Sequence, residues 1–218
     1  MPWVKRGIRR LIPRVIWQPH PPIAQTLAEI GAAHPLLDLG AGGRQISQHI
    51  WGVDLQPAAT TAVVANIESL PFASATVAGV FCTGALEHTA EPDRVLDEIL
   101  RVLRPGGVAH LEVPFMQPYH ADPADFWRWT LPGLRKLASR HGLEEIRSGT
   151  HLGPTAAMNE LVIAYWRSWF CNRYLRAVVD IVLSCLIWPL RYLDALLPRD
   201  SELMPSGVFF VGRKPDPP

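Results

Sequence analysis

Residues 36–45 read LLDLGAGGRQ, and this stretch decides the fold class. It begins with an apolar run that is typical of a buried parallel strand. Three glycines follow within four positions, where the missing side chains let the backbone turn sharply and approach a ligand. A second apolar run ends at Asp54, whose carboxylate can accept hydrogen bonds from the two hydroxyls of a ribose. This order predicts a nucleoside-binding corner at the carboxyl edge of a parallel sheet.

Asp38 separates the two classes of cofactor that use such a corner. Enzymes that bind dinucleotides prefer G-x-G-x-x-G, with the pyrophosphate at a helix N-terminus. This chain instead has an acid two residues before the first glycine, in the pattern Asp38-x-Gly40-x-Gly42-x-Arg44. A carboxylate there would repel a pyrophosphate but attract the ammonium group of a methionine moiety. The charge therefore favours S-adenosylmethionine over NAD.

Four motifs in the right order resemble the class I S-adenosylmethionine-dependent methyltransferases, in their small-molecule, methyltransferase type 11-like branch. The first motif is the acid followed by the glycine loop. The others are NIESLPF at 66–72, VAGVFCTGALEH at 77–88 and PDRVLDEILRVLRPGG at 92–107. Each motif is weak alone, but the four together cover residues 35–115 and are specific.

The resemblance implies a set of residues that hold S-adenosyl-L-methionine. They are Asp38, Gly40 and Gly42 for the methionine part, Asp54 for the ribose, Asn66 and Ile67 for the adenine, and Thr83 nearby.

Two positions depart from the family pattern. Arg44 stands where the family usually has a third glycine, and Asn66 replaces an aspartate that binds the adenine amino group. An asparagine can still accept that hydrogen bond through its amide oxygen, although without a charge. The short stretch between Arg44 and Asp54 leaves room for a first helix of one or two turns.

Length, charge and cysteine content fit a single cytoplasmic α/β domain. A chain of 218 residues can bury the core of one such domain. The formal net charge of +1 creates no general attraction for nucleic acid, so no nucleic-acid partner is expected. Cys82, Cys171 and Cys185 form neither a C-x-x-C pair nor an even framework, which favours reduced thiols.

Alternating strand and helix patterns predict a Rossmann-like, doubly wound, seven-stranded and mostly parallel sheet, with a helical insertion before the last strand. The predicted strands are 35–39, 51–55, 62–66, 77–82, 107–113, 143–149 and 207–212, and the clearest helices are 92–103 and 131–141. The last strand, GVFFVGRKP, resembles the antiparallel seventh strand of the family.

Two segments stand apart from the core of the predicted methyltransferase domain, residues 23–218. Residues 1–22 form a basic amphipathic segment, and residues 154–206 form an unusually apolar helical insertion. The apolar run at 177–190 is shorter than the roughly 20 residues that span a bilayer. Both segments suit peripheral contact with an anionic membrane surface or an apolar partner. Helices that simply pack against the domain, or act as a lid, are the alternative.

The loop at 112–130, EVPFMQPYHADPADFWRWT, is predicted to cover the mouth where the methyl group departs. His120 is the candidate catalytic residue, because an imidazole that titrates near neutrality can deprotonate a hydroxyl or amine. A structural role for His120 is an equal alternative, and His88 and Glu112 are further candidates near strand ends. Methyl transfer strictly needs no base, since positioning can supply most of the rate.

No metal site is predicted, because only Asp122 and Asp125 gather near His120 in the sequence.

The sequence therefore predicts methyl transfer from S-adenosyl-L-methionine to a small or lipid-linked acceptor, at oxygen. The expected location is the cytoplasm, either free or at the inner face of the membrane. The alternative is a catalytically inactive, methyltransferase-like binding or scaffold protein at a membrane surface. Arg44 and Asn66 keep that alternative open.

Overall fold

The computed structural model describes residues 21–194 and 203–217. Its sheet has seven strands in the order β3-β2-β1-β4-β5-β7-β6. The strands are β1 Leu36–Leu39, β2 Ile50–Asp54, β3 Thr61–Val64, β4 Val77–Thr83, β5 Leu103–Pro114, β6 Glu144–His151 and β7 Gly207–Arg213. Strand β7 runs antiparallel to both of its neighbours, and the other pairs are parallel. The predicted Rossmann-like fold is confirmed, with strand bounds that shift by a few residues.

Helices lie on both faces of this sheet. They are α1 Pro21–Ile30, α2 Pro92–Val102, α3 Leu131–Arg140, α4 Pro154–Ser168, α5 Arg173–Ile187 and α6 Arg191–Asp194, with 3₁₀ helices at Leu86–His88 and Trp188–Leu190. The apolar stripes of α2 and α3 pack on one face with β1 and β4 residues such as Leu37 and Val80. Helix α1 packs on the other face, against Leu36 and Phe81. Successive strand residues point to opposite faces, so one strand supplies both cores.

The chain between β1 and β2 forms a loop of turns, and the short helix expected there is absent from these described residues. Gly40, Gly42 and Gly43 have φ values of +68°, +54° and +81°. These left-handed conformations are incompatible with a right-handed helix. The glycine loop therefore extends to Gly43, and residues 44–49, which remain before β2, form turns instead of the expected helix.

The insertion forms a helical hairpin of α4 and α5, followed by α6. Helix α4 buries Thr155, Ala157 and Asn159 near its start, whereas α5 buries none of its residues. In the part of the chain that the structure describes, no helix has the length and apolar character needed to cross a membrane. The predicted basic segment lies outside the described residues, except for Pro21 and Pro22 in α1.

Candidate active site

Gly40 joins the turn after β1 to the turn after β4. Its amide donates a hydrogen bond to the carbonyl of Val53, at 2.8 Å. A Cβ added at Gly40 would lie 2.4 Å from the Cβ of Ala85, which is far inside van der Waals contact. Only glycine combines the positive φ with this close approach. The glycine loop is thus held tightly against the carboxyl end of β2 and the turn after β4.

Asp54 ends β2 at the same edge, as the parallel topology requires. Its Oδ2 accepts a hydrogen bond from the amide of Gly42 at 2.8 Å, and its Oδ1 accepts one from the amide of Gln56 at 2.9 Å. Each carboxylate oxygen has a second lone pair, which can still accept from a ribose hydroxyl. The backbone amides therefore orient Asp54 beside the glycine loop, the arrangement that ribose binding requires.

Asp38 is buried and paired with Arg44. Its side chain is only 3% exposed, and burial raises the pKa of this carboxyl, with the charge of Arg44 opposing the shift. Arg44 Nη2 donates to Asp38 Oδ1 at 3.1 Å, and Nη1 donates to the carbonyl of Thr83, also at 3.1 Å. The guanidinium therefore bridges the carboxyl ends of β1 and β4. It occupies the place predicted for the ammonium group of the cofactor.

Further acceptor atoms lie in this corner. Asp38 Oδ2 and Thr83 Oγ1 are both buried and make no hydrogen bond in the structure. Buried oxygens without donors are costly, so a ligand that brings an ammonium group would satisfy them. The residues present fit the methionine end of S-adenosylmethionine once Arg44 moves aside.

We expect Arg44→Ala to bind S-adenosylmethionine more tightly than the wild-type protein does. Binding would then no longer break the Arg44–Asp38 ion pair, a gain of roughly 0.7–1.4 kcal/mol or about threefold to tenfold in Kd. Isothermal calorimetry measures the change, with Arg94→Ala as a control because Arg94 forms an exposed ion pair with Glu91. Weaker binding by Arg44→Ala would show instead that the guanidinium contacts the cofactor.

Asn66 and Ile67 follow β3 on the adenine side. Asn66 Oδ1 accepts a hydrogen bond from the amide of Glu68 at 2.9 Å, so the asparagine supports the turn as an aspartate would. Ile67 is buried in the main core with Leu70. Their contacts with adenine stay a prediction.

Three chemically active side chains meet where the acceptor is predicted to bind. Glu87 and His88 belong to the 3₁₀ helix after β4, and His120 belongs to the loop after β5. Glu87 Oε1 lies 3.8 Å from His88 Nε2 and 3.7 Å from His120 Nε2. The carboxylate of Glu87 raises the pKa of His120, with burial opposing the shift. We call these three residues the acceptor cluster.

Sequence spacing concealed this cluster, because Glu87 and His120 lie far apart in the chain. They meet because β4 and β5 are parallel neighbours whose carboxyl ends share one edge. The adjacent Glu87 and His88, at the end of the motif VAGVFCTGALEH, are the sequence feature that could have indicated this cluster. Glu112, the other acid considered, contacts buried His110 Nε2 at 2.9 Å.

Backbone carbonyls set the orientation of both imidazoles. His88 Nδ1 lies 2.5 Å from the carbonyl of Ala124, and His120 Nδ1 lies 3.0 Å from the carbonyl of Pro118. A carbonyl only accepts, so Nδ1 of His88 carries the proton and its Nε2 atom is the acceptor. His120 Nδ1 also lies 3.2 Å from Arg128 Nη2, which only donates, so the tautomer of His120 depends on which of its two contacts forms. The Nε2 atoms of both rings are the ones that face Glu87.

A buried ion pair fixes the acceptor loop. Arg128 donates to both carboxylate oxygens of Asp125, at 2.5 and 2.6 Å, and the Asp125 side chain is only 1% exposed. The Arg128 hydrogen bonds lower the pKa of Asp125 to about 2. Asp125 Oδ2 also accepts from the amide of His120 at 2.8 Å, while Arg128 donates to the carbonyl of Pro118. The pair therefore positions the backbone that carries His120.

The helical insertion reaches the same region. Gln117 in the acceptor loop donates to Ser206 Oγ at 2.9 Å, and Ser206 donates to Glu160 of α4 at 3.2 Å. Burial raises the pKa of Glu160, and the hydrogen bond from Ser206 and the charge of His120 oppose the shift. The start of α4 thus forms part of the acceptor side.

Residues 30–111 match the family described as a methyltransferase domain. This part of the chain carries a methyltransferase domain of the class I S-adenosylmethionine-dependent type. Its cofactor is S-adenosyl-L-methionine, and its activity is methyl transfer. The matched residues contain the glycine loop, Asp54 and the Glu87–His88 pair, whereas His120 and the insertion lie beyond them. The family match therefore covers the cofactor half of this methyltransferase and not the His120 loop or the helical insertion.

Solved structures share the methyltransferase's fold at low sequence identity. The cyclase SpnF is 18% identical with a TM-score of 0.54, over 89% of this chain and 80% of that chain. The Burkholderia thailandensis 1,6-didemethyltoxoflavin-N1-methyltransferase, solved with 1,6-didemethyltoxoflavin and S-adenosylhomocysteine, is 16% identical with a TM-score of 0.56, over 88% and 76%. The Haemonchus contortus phosphoethanolamine N-methyltransferase 2 is 17% identical with a TM-score of 0.54, over 88% and 53%.

At this low sequence identity, these neighbours show the fold alone. One of them is a cyclase, which illustrates that the same fold supports different reactions. No curated protein matches the chain at a significant level.

Proposed function

We propose that this methyltransferase transfers the methyl group of S-adenosyl-L-methionine to an oxygen atom of a small, lipid-linked acceptor at a membrane surface. One observation carries the proposal. The helical hairpin starts beside the acceptor cluster and ends in a group of exposed aromatic side chains. A single element thereby connects the reacting end of the site with a surface suited to lipid.

The aromatic tip of the hairpin consists of Tyr165, Trp166, Trp169 and Tyr174. Tyr165 packs edge-on against Trp166 and Trp169, with ring centroids 5.6 and 6.1 Å apart. Trp169 is 67% exposed and Tyr174 is 63% exposed. Amphipathic aromatic rings of this kind are enriched where a membrane meets water. Their exposure in a cluster supports an interfacial position for the tip.

Two arginines lie near the aromatic tip, and one of them pairs with an acid. Arg173 lies 4.7 Å from the centroid of the Tyr174 ring, and Arg167 lies 3.5 Å from Asp180 of α5. Basic residues next to an anionic lipid surface each contribute about 1 kcal/mol of attraction. The basic segment at 1–22 would add to this charge. The lipid surface should therefore be anionic.

Helix α5 presents apolar side chains over much of its length. The exposed ones are Leu175, Val178, Ile181, Val182 and Leu186. A continuous apolar surface of this kind on a soluble protein commonly marks an interaction site. If α5 lay in the membrane interface as an amphipathic helix, lipid would cover this apolar surface.

The acceptor cluster favours oxygen as the methylated atom. A neutral amine already carries a nucleophilic lone pair, whereas a hydroxyl gains one of comparable strength only when it loses its proton. His120 Nε2 would accept that proton as the acceptor oxygen attacks the methyl carbon. The O–H and C–S bonds break, the O–CH₃ bond forms, and S-adenosylhomocysteine leaves.

Vesicle flotation tests the membrane part of this proposal. The protein should float with anionic vesicles and much less with neutral ones, and added salt should weaken the binding because it screens the arginines. Trp169→Ala combined with Tyr174→Ala should weaken binding at least about tenfold, since each buried ring contributes roughly 1.5–3 kcal/mol. Arg9→Glu combined with Arg10→Glu should also weaken it.

Trp51→Ala is the matched control, because Trp51 is 49% exposed on β2, outside the insertion. The vesicles also serve as the substrate source, and the methylated lipid can be identified by mass spectrometry. If the protein ignores vesicles and methylates only water-soluble acceptors, the membrane role is refuted and the insertion is a lid.

A further inference from the structure

We propose that Glu87, His88 and His120 bind a divalent transition-metal ion. In this acceptor cluster, two imidazole nitrogens and one carboxylate oxygen converge. All three ligand atoms lie within 4.8 Å of one another. A proton shared between Glu87 and the histidines is the alternative to a metal ion, and titration with a metal ion distinguishes the two.

The separations match a metal centre better than a set of hydrogen bonds. Glu87 Oε1 lies 3.8 and 3.7 Å from the Nε2 atoms of His88 and His120. Hydrogen bonds between such atoms are normally 2.7–3.2 Å long. Ligands about 2.1 Å from a tetrahedral ion lie roughly 3.4 Å apart, so a small inward movement would complete the site.

The contacts of the second ring nitrogens suit a ligand role for both Nε2 atoms. His88 Nδ1 lies 2.5 Å from the carbonyl of Ala124, which only accepts, so Nδ1 carries the proton and the Nε2 lone pair faces Glu87. His120 Nδ1 lies 3.0 Å from the carbonyl of Pro118 and 3.2 Å from Arg128 Nη2, and the tautomer that donates to Pro118 also leaves the lone pair on Nε2. A cation between these atoms would compensate the charge of the Glu87 carboxylate. Metal-ligating histidines typically use this arrangement, with the second ring nitrogen donating to a carbonyl.

Glu87 supplies an independent indication. Its side chain is 2% exposed, and Oε2 is buried without a hydrogen-bond partner. An unsatisfied buried carboxylate oxygen is costly, whereas coordination of a cation would compensate the charge. The buried carboxylate is therefore better explained with an ion present than without one.

The surrounding charges permit a cation. Arg128 Nη2 lies 3.2 Å from His120 Nδ1, but the bidentate contact with Asp125 balances the charge of the guanidinium. Glu160 on α4 adds a further carboxyl group near His120.

The ligand types select the kind of ion. Imidazole nitrogens suit Zn²⁺, Fe²⁺ and Co²⁺, whereas Mg²⁺ prefers oxygen ligands and retains several waters. Two histidines and one glutamate also leave at least one coordination position open, as in catalytic zinc sites.

The catalytic use of the ion rests on the proposed function, although binding of the ion does not. A hydroxyl bound at the open position would lose its proton more easily, as metal-bound water does. The proton would leave to solvent, and the oxygen would attack the methyl carbon as the C–S bond breaks. His120 would then act as a ligand instead of a base.

Titration of the full-length, metal-free protein with Co²⁺ tests the inference. We expect one equivalent to bind with the visible absorption of a nitrogen- and oxygen-ligated Co²⁺ ion, Zn²⁺ to displace it, and Mg²⁺ to leave it unchanged. His88→Ala and Glu87→Gln should each weaken Co²⁺ binding at least about a hundredfold, because even second-shell changes cost tenfold to a hundredfold. His49→Ala, an exposed histidine at the start of β2, is the matched control.

Absence of stoichiometric Co²⁺ binding in the wild-type protein, or unchanged binding in His88→Ala and Glu87→Gln, would overturn the metal site. Methyl transfer that persists fully in a chelator would likewise overturn the ion's catalytic use, and it would leave the proposed function standing with His120 as base. Stoichiometric Co²⁺ binding without transfer to any lipid acceptor would support the metal site and refute the proposed function instead. The two failures are therefore distinguishable.

Discussion

His120→Ala should lower kcat by roughly 10²–10⁴-fold while the affinity for S-adenosylmethionine stays unchanged. His120 lies in the acceptor loop, and its Nε2 atom faces the carboxylate of Glu87. Removing the imidazole removes either the base or a metal ligand, and both lie away from the glycine loop. Steady-state kinetics with the methylated lipid as product, together with calorimetry for the cofactor, measures the two effects separately.

His49→Ala again serves as the control, and it should retain wild-type kinetics. A fall in kcat of less than about threefold would leave positioning as the source of the rate. Loss of cofactor binding would assign His120 a structural role. The kcat of His88→Ala then distinguishes a general base from a metal ligand at His120, because a base that acts alone does not need His88.

Asp54→Ala should weaken S-adenosylmethionine binding by about tenfold or more. The variant removes the hydrogen bonds from the ribose hydroxyls to a charged acceptor, which are worth roughly 1.5–3 kcal/mol. Calorimetry measures the loss, and the same experiment with NAD tests whether the corner discriminates between the two cofactors. The wild-type protein should bind S-adenosylmethionine more tightly than NAD.

Asp54→Asn separates ribose binding from loop support in this experiment. The carboxylate also accepts from the amides of Gly42 and Gln56, so alanine could release the glycine loop as well. An asparagine keeps one accepting oxygen, and thermal unfolding of both variants reports the contribution to stability. Unchanged cofactor affinity in Asp54→Ala would contradict the assignment of Asp54 to the ribose.

The fold was predictable because its signals are local and repeated. Helix α2 shows apolar residues at helical spacing that the structure buries, and the glycine loop lies where the motif indicates. Strands β1 and β4 follow from apolar runs that are buried on both faces of the sheet, whereas β2 exposes Trp51. The family, the fold and the cofactor are confirmed, whereas the individual site residues stay predictions.

Other features depended on contacts that no local pattern records. Arg44 was recognisable as a departure from the motif, but its ion pair with Asp38 and its contact with Thr83 appear only when β1 and β4 are paired. The expected helix between Arg44 and Asp54 is replaced by turns, because β2 already begins at Ile50 and only residues 44–49 lie between it and the glycine loop. The link from Glu160 through Ser206 to Gln117 likewise joins three distant parts of the chain.

By itself the sequence determined the sheet, the glycine corner and the choice of cofactor, because hydrophobic periodicity, glycine and charge act over a few neighbouring residues. Only the tertiary structure decided the composition of the acceptor cluster. Glu87 and His120 have no regular spacing in the chain, and they meet because parallel strands bring their carboxyl ends to one edge. The orientation of the His88 ring likewise depends on the carbonyl of Ala124, a contact between residues 36 positions apart that forms only on folding.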